Sequence, residues 1–222
     1  KITTKSPIYN VKMEQKQNSI TEVEDNNVKP HLHKTPCCVP LIFLDIDGVF
    51  NCQTFYQSSQ FKDYKEAKKQ LRKDVKAERI ARLDYYASQI CKERIRWFSD
   101  LCNEINAEVI VSSTWRSGKT IEELQEIFDY CGGTFKVISK TEHLGFERGI
   151  EISKWLKDNI TPETHGCHYF DFFKYAIIDD DSDMLLNQRF NFFQTDNYSG
   201  LTPNTCYKIK RFITGQTFGV SV

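Results

Sequence analysis

The sequence predicts an α/β protein, a three-layer sandwich with a central parallel sheet and helices on both of its faces. Two observations carry this. Short apolar runs alternate along the chain with amphipathic helical stretches. Three of the runs end in polar chemistry: Asp45 and Asp47 after the first, Ser112-Ser113-Thr114 after the second, and Asp179-Asp180-Asp181 with Asp183 after the fourth. Sites in open parallel sheets form beyond the carboxyl ends of strands, where the strand order reverses.

The first strand is Leu41-Ile42-Phe43-Leu44, four apolar residues that read as buried. Asp45 and Asp47 follow on alternate positions, which point the same way in an extended chain. Gly48 then turns the chain sharply. Residues 51–85 form a small insertion, or flap, after this strand. Phe55, Tyr56, Phe61 and Tyr64 make it aromatic, and from Lys62 it is rich in Lys and Arg with interspersed acids. That charge pattern is commonly a solvated helix face, and it also suits a basic flap receiving an anionic substrate. Ile90, Trp97, Leu101 and Ile105 recur at helical spacing and predict one long helix. Residues 109–112 are the second strand. Thr120 with Glu123 predicts a capping box, Ile121, Leu124 and Phe128 an inner helical face, and Gly132-Gly133 its end. Strands are expected at 135–138, 175–178 and 191–194, and helices at 150–159 and 203–212, the last opening at Pro203.

At 222 residues the chain can bury a full core. Residues 1–40 are polar and read as a flexible N-terminal tail, residues 41–214 as the folded domain and 215–222 as a C-terminal tail. Thirty basic and thirty acidic side chains cancel, so no global field favours nucleic acid. No apolar run is long enough to span a bilayer. Eight cysteines without a CxxC pair point to free thiols in a reducing, cytoplasmic setting. His31, His33, Cys37 and Cys38 match no standard zinc spacing, and His165, Cys167 and His168 read as a loop with packed side chains. Gly118-Lys119-Thr120 is no P-loop, because Ser113 stands where the upstream glycine belongs.

Two carboxylates held as close as Asp45 and Asp47 repel, and a bound divalent cation relieves the repulsion. The arrangement suggests a nucleophile, an acid/base and a metal at one strand end. With Asp45-Ile46-Asp47-Gly48-Val49 first, Ser112 ending the second strand and the acidic run from Asp179 last, residues 41–212 resemble the haloacid dehalogenase (HAD) superfamily of phosphohydrolases. Ser112-Ser113-Thr114-Trp115-Arg116 and Ile178-Asp179-Asp180-Asp181-Ser182-Asp183-Met184 are similar to a branch of small HAD domains, some associated with RNA repair.

The resemblance implies a Rossmann-like fold and a set of roles. Asp45 would be the nucleophile, forming an aspartyl-phosphate. Asp47 would protonate the leaving oxygen and then activate water, with its backbone carbonyl at the metal. Ser112, with Ser113 as its alternate, would bind phosphoryl oxygens, and Arg116 would contact substrate or pair with acids of the insertion. Asp180 would hold Mg²⁺, supported by Asp179 or Asp183. The family's basic third motif departs from a plain Lys here. Arg148 is the first choice, with Lys154 and Lys174 as alternatives.

No large cap intervenes, so an open site serving a phosphorylated macromolecule is expected. Zero net charge favours a phosphoprotein, with the aromatic insertion stacking on phosphotyrosine. A nucleic-acid 3′ or 5′ end is the alternative substrate. A catalytically silent scaffold is a third reading.

Overall fold

Strand β1 (Leu41–Leu44) is buried along its whole length and occupies the middle of a five-stranded sheet. The computed structural model describes residues 39–62, 79–160 and 174–215. The expectations for the N-terminal tail with His31, His33, Cys37 and Cys38, for Tyr64 and most of the basic insertion, for the loop with His165, Cys167 and His168, and for residues 216–222 lie outside the described residues.

The elements follow in the order β1, α1 (Gln53–Gln57), α2 (Arg79–Ala87), α3 (Lys92–Ile105), β2 (Glu108–Val111), α4 (Ile121–Tyr130), β3 (Lys136–Lys140), α5 (Arg148–Asn159), β4 (Tyr175–Asp179), β5 (Phe192–Gln194) and α6 (Pro203–Thr214). The strand order is β3-β2-β1-β4-β5, and every pairing is parallel. The chain therefore leaves β1 toward one edge and returns to build the other. The order reverses between β1 and β4, which opens a crevice at their carboxyl ends. Asp45 and Asp179 sit there, and the Asp45 N–H donates to the Ile178 carbonyl across the gap at 2.9 Å.

Alternation along β1 sorts the core into two layers. Ile42 and Leu44 pack with Phe98 and Leu101 of α3, Leu124 and Phe128 of α4 and Ile209 of α6. Leu41 and Phe43 face the other way, onto Ile152, Trp155 and Leu156 of α5. The sheet is thus covered on both faces, as the sequence predicts for this Rossmann-like α/β sandwich. Phe50, Phe98, Phe128 and Phe135 interlock, three of their contacts edge to face and Phe128 on Phe135 tilted, with Phe98 and Phe135 centroids 4.7 Å apart.

The capping box on α4 is present in full, and Thr202 caps α6 ahead of Pro203. One expectation is corrected. The helix through Ile90 is two helices, broken at residues 88–91. Ser88 Oγ and Gln89 Nε2 both donate to the Tyr85 carbonyl, which satisfies the end of α2. Cys91 N–H turns to the Phe50 carbonyl instead of continuing a helical ladder. Ile90 is fully buried in this elbow, so its apolar character marks a turn packed on the core.

Among the described residues, Cys52, Cys91, Cys102, Cys131 and Cys206 are buried free thiols. No helix among them is long and apolar enough to cross a membrane.

Candidate active site

Asp45 follows β1 directly and is buried, at 3% exposure. Its Oδ1 accepts a hydrogen bond from Arg148 Nη1 at 2.6 Å. The Ser113 hydroxyl also bonds its carboxylate. Burial pushes the Asp45 carboxyl up to about 6, with the Arg148 charge opposing. Removal from water disfavours the ionised form, and one guanidinium does not offset that loss.

Asp47 lies beyond β1 and is exposed. Asn51 Nδ2 donates to its Oδ1 at 2.8 Å, and Trp115 Nε1 lies 3.1 and 3.0 Å from Oδ1 and Oδ2. Asn51 Oδ1 in turn accepts from the Gly48 N–H, closing the turn between them. Gly48 has a φ of +70°, and a Cβ there would fall 2.1 Å from Asp180 Cγ. Glycine is needed for both the turn and the seat of Asp180.

The acidic loop after β4 supplies the other carboxylates. Asp179 is fully buried and its Oδ1 accepts the Asp181 N–H at 3.0 Å. Its Oδ2 lies 3.2 Å from Arg148 Nε but has no hydrogen-bond partner. Burial and the charge on Asp45 push the Asp179 carboxyl up to about 8, and burial also raises that of Asp180. Ligand oxygens of Asp45, Asp179 and Asp180 all lie within 4.8 Å of one another. Three oxygen donors, two of them buried, against a single guanidinium make a set that fits a hard divalent cation. The orphaned Asp179 Oδ2 is the atom such an ion would satisfy.

Among the described residues, Arg148 is the basic side chain paired with Asp45. It reaches Asp45, Asp179 and the Ser112 carbonyl at once. Burial lowers its proton affinity, but Asp45 and Asp179 outweigh that and raise it. Of the two alternatives, Lys154 pairs with Glu142 and Asp158 on the exposed flank of α5. Lys174 lies before β4, at the opposite end of the strand, and donates to the Ile213 carbonyl. Neither faces Asp45. Asp183 accepts the Arg148 N–H at 2.8 Å and so caps α5, while its other oxygen is buried without a hydrogen-bond partner. Gly149 makes this docking possible, since a Cβ there would meet the Leu185 nitrogen at 2.5 Å.

Ser112 and Ser113 are both fully buried at the end of β2. The Ser112 hydroxyl has no partner, which is unusual for a buried polar atom. Arg116 departs from its expected place. It does not face the crevice or the insertion. Its guanidinium is buried, pairs with Glu151 of α5 and donates to the Ser112 and Ser113 carbonyls. Glu151 Oε1 also accepts the Leu144 N–H. Arg116 therefore braces the serine turn from behind. The physical reason is the short helical turn at Thr114–Arg116, which rotates the side chain inward.

Trp115, Asn51, Glu151 and Thr195 were not singled out in the sequence. Thr195 Oγ1 donates to the Gly48 carbonyl at 3.1 Å and its N–H to the Asp179 carbonyl at 2.8 Å, tying the two acidic loops together. Only the position of Trp115 inside the Ser112–Arg116 motif was a signal.

A central strand ending in paired acids, a buried serine turn, a basic helix start and an acidic loop at one switch point define a domain of the HAD hydrolase type. Residues 41–206 match the family described as the HAD domain in Swiss Army Knife RNA repair proteins, and the chain belongs to that family. Membership in this superfamily implies a phosphohydrolase. No curated protein and no solved structure matches the chain.

Proposed function

We propose that the chain is a Mg²⁺-dependent phosphomonoesterase that works through an aspartyl-phosphate on Asp45. The observation that carries this reading is the convergence of Asp45, Asp179, Asp180 and Arg148 in one crevice. Asp45, Asp179 and Asp180 are the residues that would hold the ion, with the backbone of Asp47 beside them. Bound there, Mg²⁺ supplies positive charge that lets an anionic nucleophile approach an anionic phosphate.

The chain's own groups divide the work. Asp45 attacks phosphorus. Arg148 orients its carboxylate and adds positive charge for the phosphoryl oxygens. In this reading the unpartnered Ser112 hydroxyl and the Ser113 turn receive those oxygens. Asp47 gives a proton to the leaving oxygen, then takes one from the water that opens the acyl phosphate.

The family's association with RNA repair favours a phosphorylated RNA end as substrate. A phosphoprotein is the second reading, suggested by zero net charge. The stacking surface it invokes is partly committed: Phe55 is buried, and Phe55, Tyr56 and Phe61 pack on one another with centroids 4.8 to 5.7 Å apart. Intact Asp45 and Asp47 speak against a silent scaffold. The buried free thiols support a reducing, cytoplasmic setting.

The test is phosphate release with Mg²⁺ from 3′- and 5′-phosphorylated RNA oligonucleotides, phosphotyrosine peptides and phosphoserine peptides. Faster release from an RNA end, falling steeply with salt, supports the reading. A clear peptide preference overturns the substrate class. No Mg²⁺-dependent release from any of them overturns the enzyme.

A further inference from the structure

We infer that Trp115 is a positioning residue for Asp47, that it fixes the plane of the Asp47 carboxylate, and that helix α2 holds it in place. The inference rests on the phosphatase reading above.

Three contacts support it. Asp47 is exposed, and nothing about β1 itself fixes the plane of its carboxylate. Trp115 Nε1 bridges both of its oxygens, at 3.1 and 3.0 Å. An exposed carboxylate rotates freely about its last bond, and a donor shared by both oxygens removes that freedom. Asn51 Nδ2 adds a second donor to Oδ1 alone, at 2.8 Å. Oδ1 thus accepts two hydrogen bonds and Oδ2 one. Oδ2 is therefore the oxygen with more room for a further partner.

The indole is itself held. Its ring is partly buried against the core, and the Tyr86 ring of α2 packs on it with centroids 5.5 Å apart. Lys119 closes the set, donating to the Trp115 carbonyl at 2.9 Å and standing 4.6 Å above the Tyr86 ring. Helix α2 is anchored to α4 in turn, through Arg82 with Glu123 and through the Tyr130 hydroxyl, which donates to Asp84 at 2.5 Å. Helix α2 therefore reaches Asp47 through two aromatic rings.

The step balances as follows. As the Asp45 oxygen forms its bond to phosphorus, the ester P–O bond breaks. The leaving oxygen takes the proton from Asp47 and departs as an alcohol. Water then attacks phosphorus, its proton returns to Asp47, and the Asp45 carboxylate is released as inorganic phosphate departs. A misplaced acid matters most for a poor leaving group and least for one that departs unaided.

Trp115→Phe keeps the ring and removes the N–H. Its kcat is measured with Mg²⁺ on phenyl phosphate and on 2,4-dinitrophenyl phosphate, alone and in an Asp47→Asn background. The expected result is a loss of about tenfold or more on phenyl phosphate, part of the 10²–10⁴ range of general acid catalysis, and about twofold or less on the dinitrophenyl ester. In the Asp47→Asn background the same substitution adds no further loss. Tyr86→Leu, which leaves Trp115 intact, gives a smaller loss with the same leaving-group bias. Equal losses on both esters, or losses that multiply in the double variant, overturn the role of Trp115 while leaving the phosphatase standing. Wild-type protein inert toward both esters sinks the phosphatase reading and this inference with it.

Discussion

Gly48 and Asp180 occupy one space: the Asp180 carboxylate fills the position a Cβ on Gly48 would take, 2.1 Å from its Cγ. The glycine's positive φ alone would disfavour a side chain, and this overlap adds a direct clash with a candidate metal ligand. Gly48→Ala should push Asp180 out of the cluster while leaving the core intact. The expected outcome is Mg²⁺ affinity weakened by about tenfold or more, which corresponds to about 1.4 kcal/mol. Calorimetric Mg²⁺ titration, with circular dichroism as the control for folding, checks it. Unchanged affinity would place the ion elsewhere.

Asp45→Asn removes the proposed nucleophile but keeps the shape. Turnover of any phosphate ester should fall by at least about a thousandfold, because an amide cannot form the acyl phosphate. Metal-free stability should hold or rise, since a buried carboxylate that resists ionisation has gone. Phosphate release and thermal melting in EDTA read the two effects separately.

The metal-free protein should lose stability as pH rises. The Asp45 and Asp179 carboxyls are raised from 3.8 to about 6 and about 8. Between about pH 4 and pH 8 the folded chain therefore binds more protons than the unfolded one, and its stability falls across that window. Below about pH 4 both states are protonated and the penalty disappears. Mg²⁺ prefers the ionised carboxylates, so its increment in Tm should be larger near pH 8 than near pH 5.5. Melts with EDTA or Mg²⁺ at the two pH values check the sign.

Arg116 and Glu151 form a buried pair behind the serine turn, at 4% and 3% exposure. Arg116→Ala leaves the Glu151 carboxylate buried without its partner and should cost about 3–5 kcal/mol of stability. Replacing both by Met and Leu should recover much of that. Urea unfolding measures both variants. A loss below about 1 kcal/mol for the single change would mean that water reaches Glu151.

Much of this site could be read from the sequence because its residues stand where elements begin and end. Asp45 follows an apolar run, Arg148 opens a helix, and the acidic run closes β4. Arg116 and Ile90 depart from what the sequence predicts, each for its own reason. Arg116 was expected to face the substrate, but a single short turn at Thr114–Arg116 sets its direction, and no periodicity reports on a turn that short. Ile90 continued the helical spacing of α3 although it lies in an elbow, since burial is the same in both settings. Asp183 also caps the helix that opens at Arg148, 35 positions earlier, and such a pairing exists only once the chain has folded.

That last bond has a consequence for how the protein fails. Asp183 ends the stretch that begins with Asp179 and Asp180, and the helix start it grips carries Arg148. Anionic and cationic halves of the crevice are thereby mechanically joined. Loosening either one releases both, so heating should erase activity abruptly, in step with unfolding, rather than wear it down through partly competent forms.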